Sequence, residues 1–127
     1  MARHKTNGPT GRQLAILSIL WDKGPSTVRQ VHEALHASGP TGYTTALKLM
    51  QIMMDQGLIV RMGDERPHRY KPAIPEEKTQ NQVVGDLLDR VFAGSAEKLV
   101  MRALSARKVS ADELRRIRAM LDDIEGA

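Results

Sequence analysis

The chain has 127 residues, 41% of them apolar and 3% aromatic, with a formal net charge of +4 and no cysteine. That length holds one compact domain or two very small ones, and an aliphatic core with few aromatics suits helices. The lack of cysteine excludes disulfides, thiolate nucleophiles, zinc ribbons and thiolate metal sensing.

Charge is unevenly placed: residues 1–72 carry ten Lys/Arg against five Asp/Glu, whereas residues 73–127 carry nine against ten. A basic half joined to a near-neutral, helix-rich half suits a molecule whose first segment meets phosphate and whose second meets protein. On charge alone an ordinary solvated surface is an equal reading. No run is apolar and long enough to cross a membrane and no signal peptide opens the chain, so the expectation is a cytoplasmic protein without a membrane partner.

Residues 1–7 read as a polar, frayed start. Thr10 with Gln13 then forms a capping pair, and Leu14, Ile16, Leu17, Leu20 and Trp21 fall on one side of a helix that Gly24-Pro25 ends. Ser26 or Thr27 caps a second helix with Val28, Val31 and Leu35 facing inward, and the loop "HASGPTG" turns the chain. The third helix, "YTTALKLMQIMMDQG", is the most informative. At about 100° per residue Thr44, Lys48, Gln51 and Asp55 gather into a polar stripe about 60° wide. Ala46, Leu49, Met50, Met53 and Met54 lie opposite, so the methionines fill a core and are not a sulfur ligand set. Tyr43, Thr44, Thr45, Lys48 and Gln51 are left free to enter a groove and bond phosphates or base edges.

Gly57 ends this helix. "LIVRM", the turn "GDERP" and "HRYKP" follow as a β-hairpin on which Arg61, Arg66, His68, Arg69 and Lys71 concentrate. A basic hairpin alone is usually just solvated surface; two helices, a polar-faced third and then such a hairpin make the winged variant of helix-turn-helix, placed at residues 8–72.

"AIPEE" at residues 73–77 reads as a hinge, with Pro75 and the two glutamates suited to the start of a new helix. Residues 78–127 read as a helical dimerisation domain. A fourth helix from Lys78 to Phe92 carries Val83, Val84, Leu87, Leu88, Val91 and Phe92, and Gly94 ends it. Ser95 caps a fifth with Leu99, Val100, Ala103 and Leu104. Ser110 with Glu113 forms a capping box for a sixth, in which Leu114, Ile117, Leu121 and Ile124 repeat at helical spacing. Three short helices bury too little area to stand alone, so their apolar stripes are expected to pair with a second copy. The interface would hold Val84, Leu87, Leu88, Val91, Phe92, Leu99, Val100, Leu104, Leu114, Ile117 and Leu121. The alternative is that these helices fold back on the first half as one monomeric core. The fold class is mainly α with a small β-hairpin wing: winged helix-turn-helix plus a C-terminal helical dimerisation segment.

The blocks "LAILSILWDKGPSTVRQVHEAL", "YTTALKLMQIMMDQGLIVR", "ERPHRYKP", "LLDRVFAGSAEKLVMRAL" and "SADELRRI" resemble, in order and spacing, the penicillinase-repressor (BlaI/MecI-like) family of bacterial transcription regulators from about Leu14 to Leu121. The resemblance implies a homodimeric winged-helix repressor on a palindromic operator, with no cofactor. It places Tyr43, Thr44, Thr45 and Lys48 in the recognition helix and Arg61, Arg66 and Tyr70 in the wing. It also implies release through a sensor that triggers proteolysis at an Asn-Phe bond in the dimerisation helices. The corresponding bond here is Arg102-Ala103, and neither residue matches. The cysteine motifs of the copper-responsive relatives are absent.

"HEALH", from His32 to His36, is a literal H-E-x-x-H, the spacing with which zinc peptidases hold a metal on one helix face. A third ligand would have to come from His4, His68 or a carboxylate, and so small a chain leaves little room for a substrate cleft. Glu33 and His36 fall on the exposed side of a helix already explained by Val28, Val31 and Leu35, so adventitious zinc or nickel binding is the stronger expectation. With no Gly-rich phosphate loop, nucleophile elbow or apolar-embedded carboxylate pair, an enzyme is not expected. The competing functional class is a protein-interaction adaptor that uses a winged-helix scaffold without reading DNA. The basic hairpin and hydroxyl-rich third helix count against it.

Overall fold

The computed structural model describes residues 8–126, so the expected frayed start at residues 1–7 lies outside it. Its elements run α1 (Gly11–Lys23), α2 (Val28–His36), α3 (Tyr43–Asp55), β1 (Ile59–Met62), β2 (Arg69–Pro72), α4 (Glu76–Arg90), α5 (Ala96–Ala106) and α6 (Ala111–Glu125). This is a mainly α winged helix-turn-helix with a two-stranded wing, followed by further helices.

Local chemistry sets the helix starts. Thr10 Oγ1 accepts the Gln13 N–H at 3.3 Å while Gln13 Oε1 accepts the Thr10 N–H at 3.0 Å, closing the capping box that opens α1. The same glutamine is buried and donates to Gln56 Oε1 at 2.8 Å, which ties the start of α1 to the end of α3. Thr27, not Ser26, caps α2, with Thr27 Oγ1 accepting the Gln30 N–H at 3.1 Å. Ser26 is instead buried in a short bridge with Tyr70, each N–H donating to the other's carbonyl at 3.0 and 2.9 Å. That bridge stitches the α1–α2 loop to the wing.

The core is aliphatic, as the composition requires. Ile16, Leu17 and Leu20 of α1 pack with Val31 of α2, Met50 and Met53 of α3 and Ile59 of β1, all buried. Each such side chain contributes about 1.5–3 kcal/mol when fully removed from water. The hairpin is antiparallel, with Ile59 opposite Pro72, Val60 opposite Lys71, Arg61 opposite Tyr70 and Met62 opposite Arg69. Each strand begins one residue later than the apolar runs suggest.

Glu76 and Glu77 occupy the first turn of α4, where the helix dipole favours carboxylates. The last two residues of the expected hinge are therefore helical. Thr79, on the next turn, is buried. The chain divides into two compact units, one reaching Asp86 and the other beginning at Leu87. In the second, α4 stops at Arg90 rather than Phe92, and Gly94, at φ +77°, lets its N–H reach the Leu88 carbonyl at 2.7 Å. Ser95 caps α5 and Ser110 caps α6, whose Glu113 N–H it accepts at 3.1 Å; only this half of the expected capping box is formed. No residue of α5 or α6 is buried, so neither helix has an interior of its own.

Candidate nucleic-acid interface

The surface of α3 is built from the inside outward. Ala46, Met50 and Met53 are buried and hold one side of the helix, which leaves Tyr43, Thr44, Thr45, Lys48 and Gln51 exposed on the other. Asp55 is exposed at the end of the same stripe. Ile52, 43% exposed, lies at a helical angle between Lys48 and Thr45, so it belongs to this face. An apolar contact among hydroxyls suits a thymine methyl group in a major groove. Ile52 carries no polar signal, and only its wheel angle assigns it to this face.

The ends of α3 are fixed on both sides. At the start, His32 Nε2 bonds the Thr41 carbonyl at 2.6 Å, and the His32 ring meets the Tyr43 ring edge-on with centroids 5.7 Å apart. One nitrogen of the H-E-x-x-H pair is thus engaged in holding the loop that delivers α3. At the other end Gly57, at φ +76°, donates to Met54 and Leu58 donates to Met53, at 3.1 and 2.9 Å. These are the paired bonds of a Schellman turn. The turn leads from the exposed helix directly into β1, so helix and wing are set against each other by backbone geometry.

Pairing across the hairpin decides where the wing's cations point. Arg61 shares a face with its partner Tyr70, whereas Arg69 and Lys71 lie on the opposite face. Arg66 sits in the turn and lines a hollow there with Asp64, Glu65 and Arg69. Arg61, Arg66 and Arg69 are exposed, and His68 is half-buried. The structure therefore spreads these cations around the wing instead of collecting them on one face. His68 is drawn elsewhere: with Thr27 and Arg29 of the second helix region and Tyr43 of α3 it lines a hollow of about 420 Å³. Its Nδ1 is shielded and has no hydrogen-bond partner among the described residues. Arg29 is a cation near the start of α3 that no local pattern singles out, since only the tertiary fold brings it to the same hollow as Tyr43.

The expected pairing residues lie in and just after α4, and in α5 and α6. Val84, Leu87, Val91, Val100 and Leu121 are exposed, while Leu88, Phe92, Leu99, Leu104, Leu114 and Ile117 are half-buried. Met101, Met120 and Ile124 extend the exposed apolar area, with Ile124 at 74%. Arg102 and Ala103 are exposed in the middle of α5. Among the described residues no helix is long and apolar enough to cross a membrane.

Known proteins match nearly the whole chain. It is 33% identical over 113 residues to the transcriptional regulator BlaI of Mycobacterium tuberculosis, covering 87% of this chain and 80% of that one. It is 19% identical over 119 residues to the methicillin resistance regulatory protein MecI of Staphylococcus aureus, covering 94% and 97%. Among solved structures, a MarR family protein from Bacillus stearothermophilus superposes with a TM-score of 0.48 at 20% identity, over 92% of this chain and 76% of that one. The sequence profile of penicillinase repressors runs through residues 9–123, and the chain belongs to the penicillinase repressor family of transcriptional regulators.

Proposed function

We propose that this protein represses transcription by binding a palindromic operator as a homodimer. The observation that carries the reading is the exposed set Thr44, Thr45, Lys48 and Gln51, backed by buried Met50 and Met53 and joined by a fixed turn to a cationic wing. In this reading α3 enters the major groove, Thr and Gln bond base edges, and Lys48 neutralises a phosphate or reads a guanine. Arg61, Arg66 and Arg69 hold the backbone or the flanking minor groove from different sides of the wing. The exposed apolar faces of α4, α5 and α6 pair two copies, which sets half-sites about 34–36 Å apart or at a multiple of that distance.

Release follows, in the same proposal, from a sensor protease that cuts at Arg102-Ala103. The bond lies inside α5, so the helix must unwind before a protease can accept it in extended form. Mass spectrometry of the chain recovered from repressed and derepressed cells reads this step, and an intact chain in both states removes it.

The main test is selection of bound sequences from a pool of random duplexes at two salt concentrations. A recovered palindrome whose affinity falls steeply with salt supports the dimeric repressor. No enrichment, with a dimeric mass and weak retention on DNA, overturns it in favour of a protein partner for the α3 face.

A further inference from the structure

One hollow of the first compact unit shares no residue with the α3 face and only Val84 with the expected pairing residues. It lies between α1 and the first turns of α4 and has a volume of about 520 Å³, inside the range of about 300–1,000 Å³ over which proteins hold small molecules. Leu14 and Trp21 of α1 and Val83 and Val84 of α4 give it apolar walls, and its charged groups are two carboxylates, Asp22 and Glu76. Among the described residues no lysine or arginine lines it, in a chain whose Lys and Arg outnumber Asp and Glu 19 to 15. The hollow therefore has the opposite sign to the surface proposed for DNA.

The fold leaves polar groups unanswered here. Asp22 has no ion-pair partner among the described residues, and Glu76 is bonded only by the side-chain amide of Gln80, at 3.2 Å. Apolar walls beside an unpaired carboxylate suit a ligand with an apolar body and a cationic end.

The geometry points to a binding site for a small organic cation with a flat apolar body, of the arylalkylamine class. The aromatic part lies against Leu14, Trp21 and Val83, and the ammonium faces Asp22 and Glu76. DNA is excluded by its charge, and a neutral ligand would gain nothing from the two exposed carboxylates. Because α4 supplies one wall and also carries Leu87 and Leu88, a ligand here bears on the helix that leads to the proposed pairing face. The assignment does not depend on the DNA reading, since none of these residues belongs to that surface.

Trp21 is the chain's single tryptophan, so its fluorescence reports the hollow directly. The full-length protein is titrated at neutral pH with 2-phenylethylamine, 2-phenylethanol and phenylacetate, which share one body and carry positive, zero and negative charge. The amine is expected to change the emission saturably, the alcohol to bind about fivefold more weakly or worse, and phenylacetate to give no saturable change. In the isosteric variant Asp22→Asn with Glu76→Gln the amine and alcohol converge. Far-UV circular dichroism serves as the fold control and is unchanged in that variant. Val83→Phe, which fills the hollow and leaves both carboxylates in place, is a second variant and abolishes the amine signal. Equal binding of amine and alcohol by the wild type, no saturable amine signal, or a charge preference that survives in the double variant each overturns the site. Loss of DNA binding by the wild type would overturn the repressor reading and leave this one standing.

Discussion

Leu121→Ala tests the proposed pairing face most directly. Leu121 sits on α6 with 54% of its surface exposed. Complete burial of a leucine side chain contributes about 1.5–3 kcal/mol, so covering the exposed half adds about 0.8–1.6 kcal/mol. A two-fold interface contains the residue twice, which raises the effect to about 1.6–3.2 kcal/mol of dimer stability. That energy corresponds to about 15- to 200-fold in dissociation constant, and because alanine retains its Cβ the expected change is about 10- to 100-fold. Sedimentation across a concentration series measures it. Arg118→Ala, an exposed polar position on the same helix, serves as the control and should stay within about twofold. Identical dissociation constants for wild type and Leu121→Ala, or a wild type that remains monomeric throughout, would refute the reasoning.

Lys48→Ala and Arg66→Ala should each lower the slope of log affinity against log salt by about one while the dimer persists; retained affinity and slope in both variants removes the α3–wing face. Met53→Ala should cost about 2–5 kcal/mol in urea unfolding, because Met53 is fully buried where α1, α3 and β1 meet; a loss below about 1 kcal/mol would show that the site collapses or is open to water. His32→Leu removes the bond to the Thr41 carbonyl and should lower stability by about 0.5–1.5 kcal/mol. The same change should weaken operator binding without altering its salt slope, and a shallower slope would place His32 on a phosphate instead.

Much of the winged helix was legible because its signals are local. Thr10 and Gln13 announce α1 by reciprocal capping, the Met50 and Met53 spacing gives the buried side of α3, and Gly57 marks the turn into the hairpin. What stayed hidden depends on contacts distant in sequence. Ser26 and Thr27 are equivalent as caps until the bridge to Tyr70 claims Ser26 for the wing. Thr79 carries no apolar signal, yet it is buried at the start of α4. Arg29 of α2, Tyr43 of α3 and His68 of the hairpin turn share a hollow only after folding. Alternation along the wing was readable, but the register that puts Arg61 on the Tyr70 face and Arg69 on the other required the paired strands.

The missing interior of α5 and α6 has a consequence for cellular abundance. In the proposed dimer, helices that bury none of their own residues would draw cohesion from the second copy, and that cohesion is bimolecular. Below the dimer dissociation constant, halving the total amount of chain quarters the amount of dimer. Dilution by growth then lifts repression faster than the chain itself is lost, and a cell can open the operator by slowing synthesis alone.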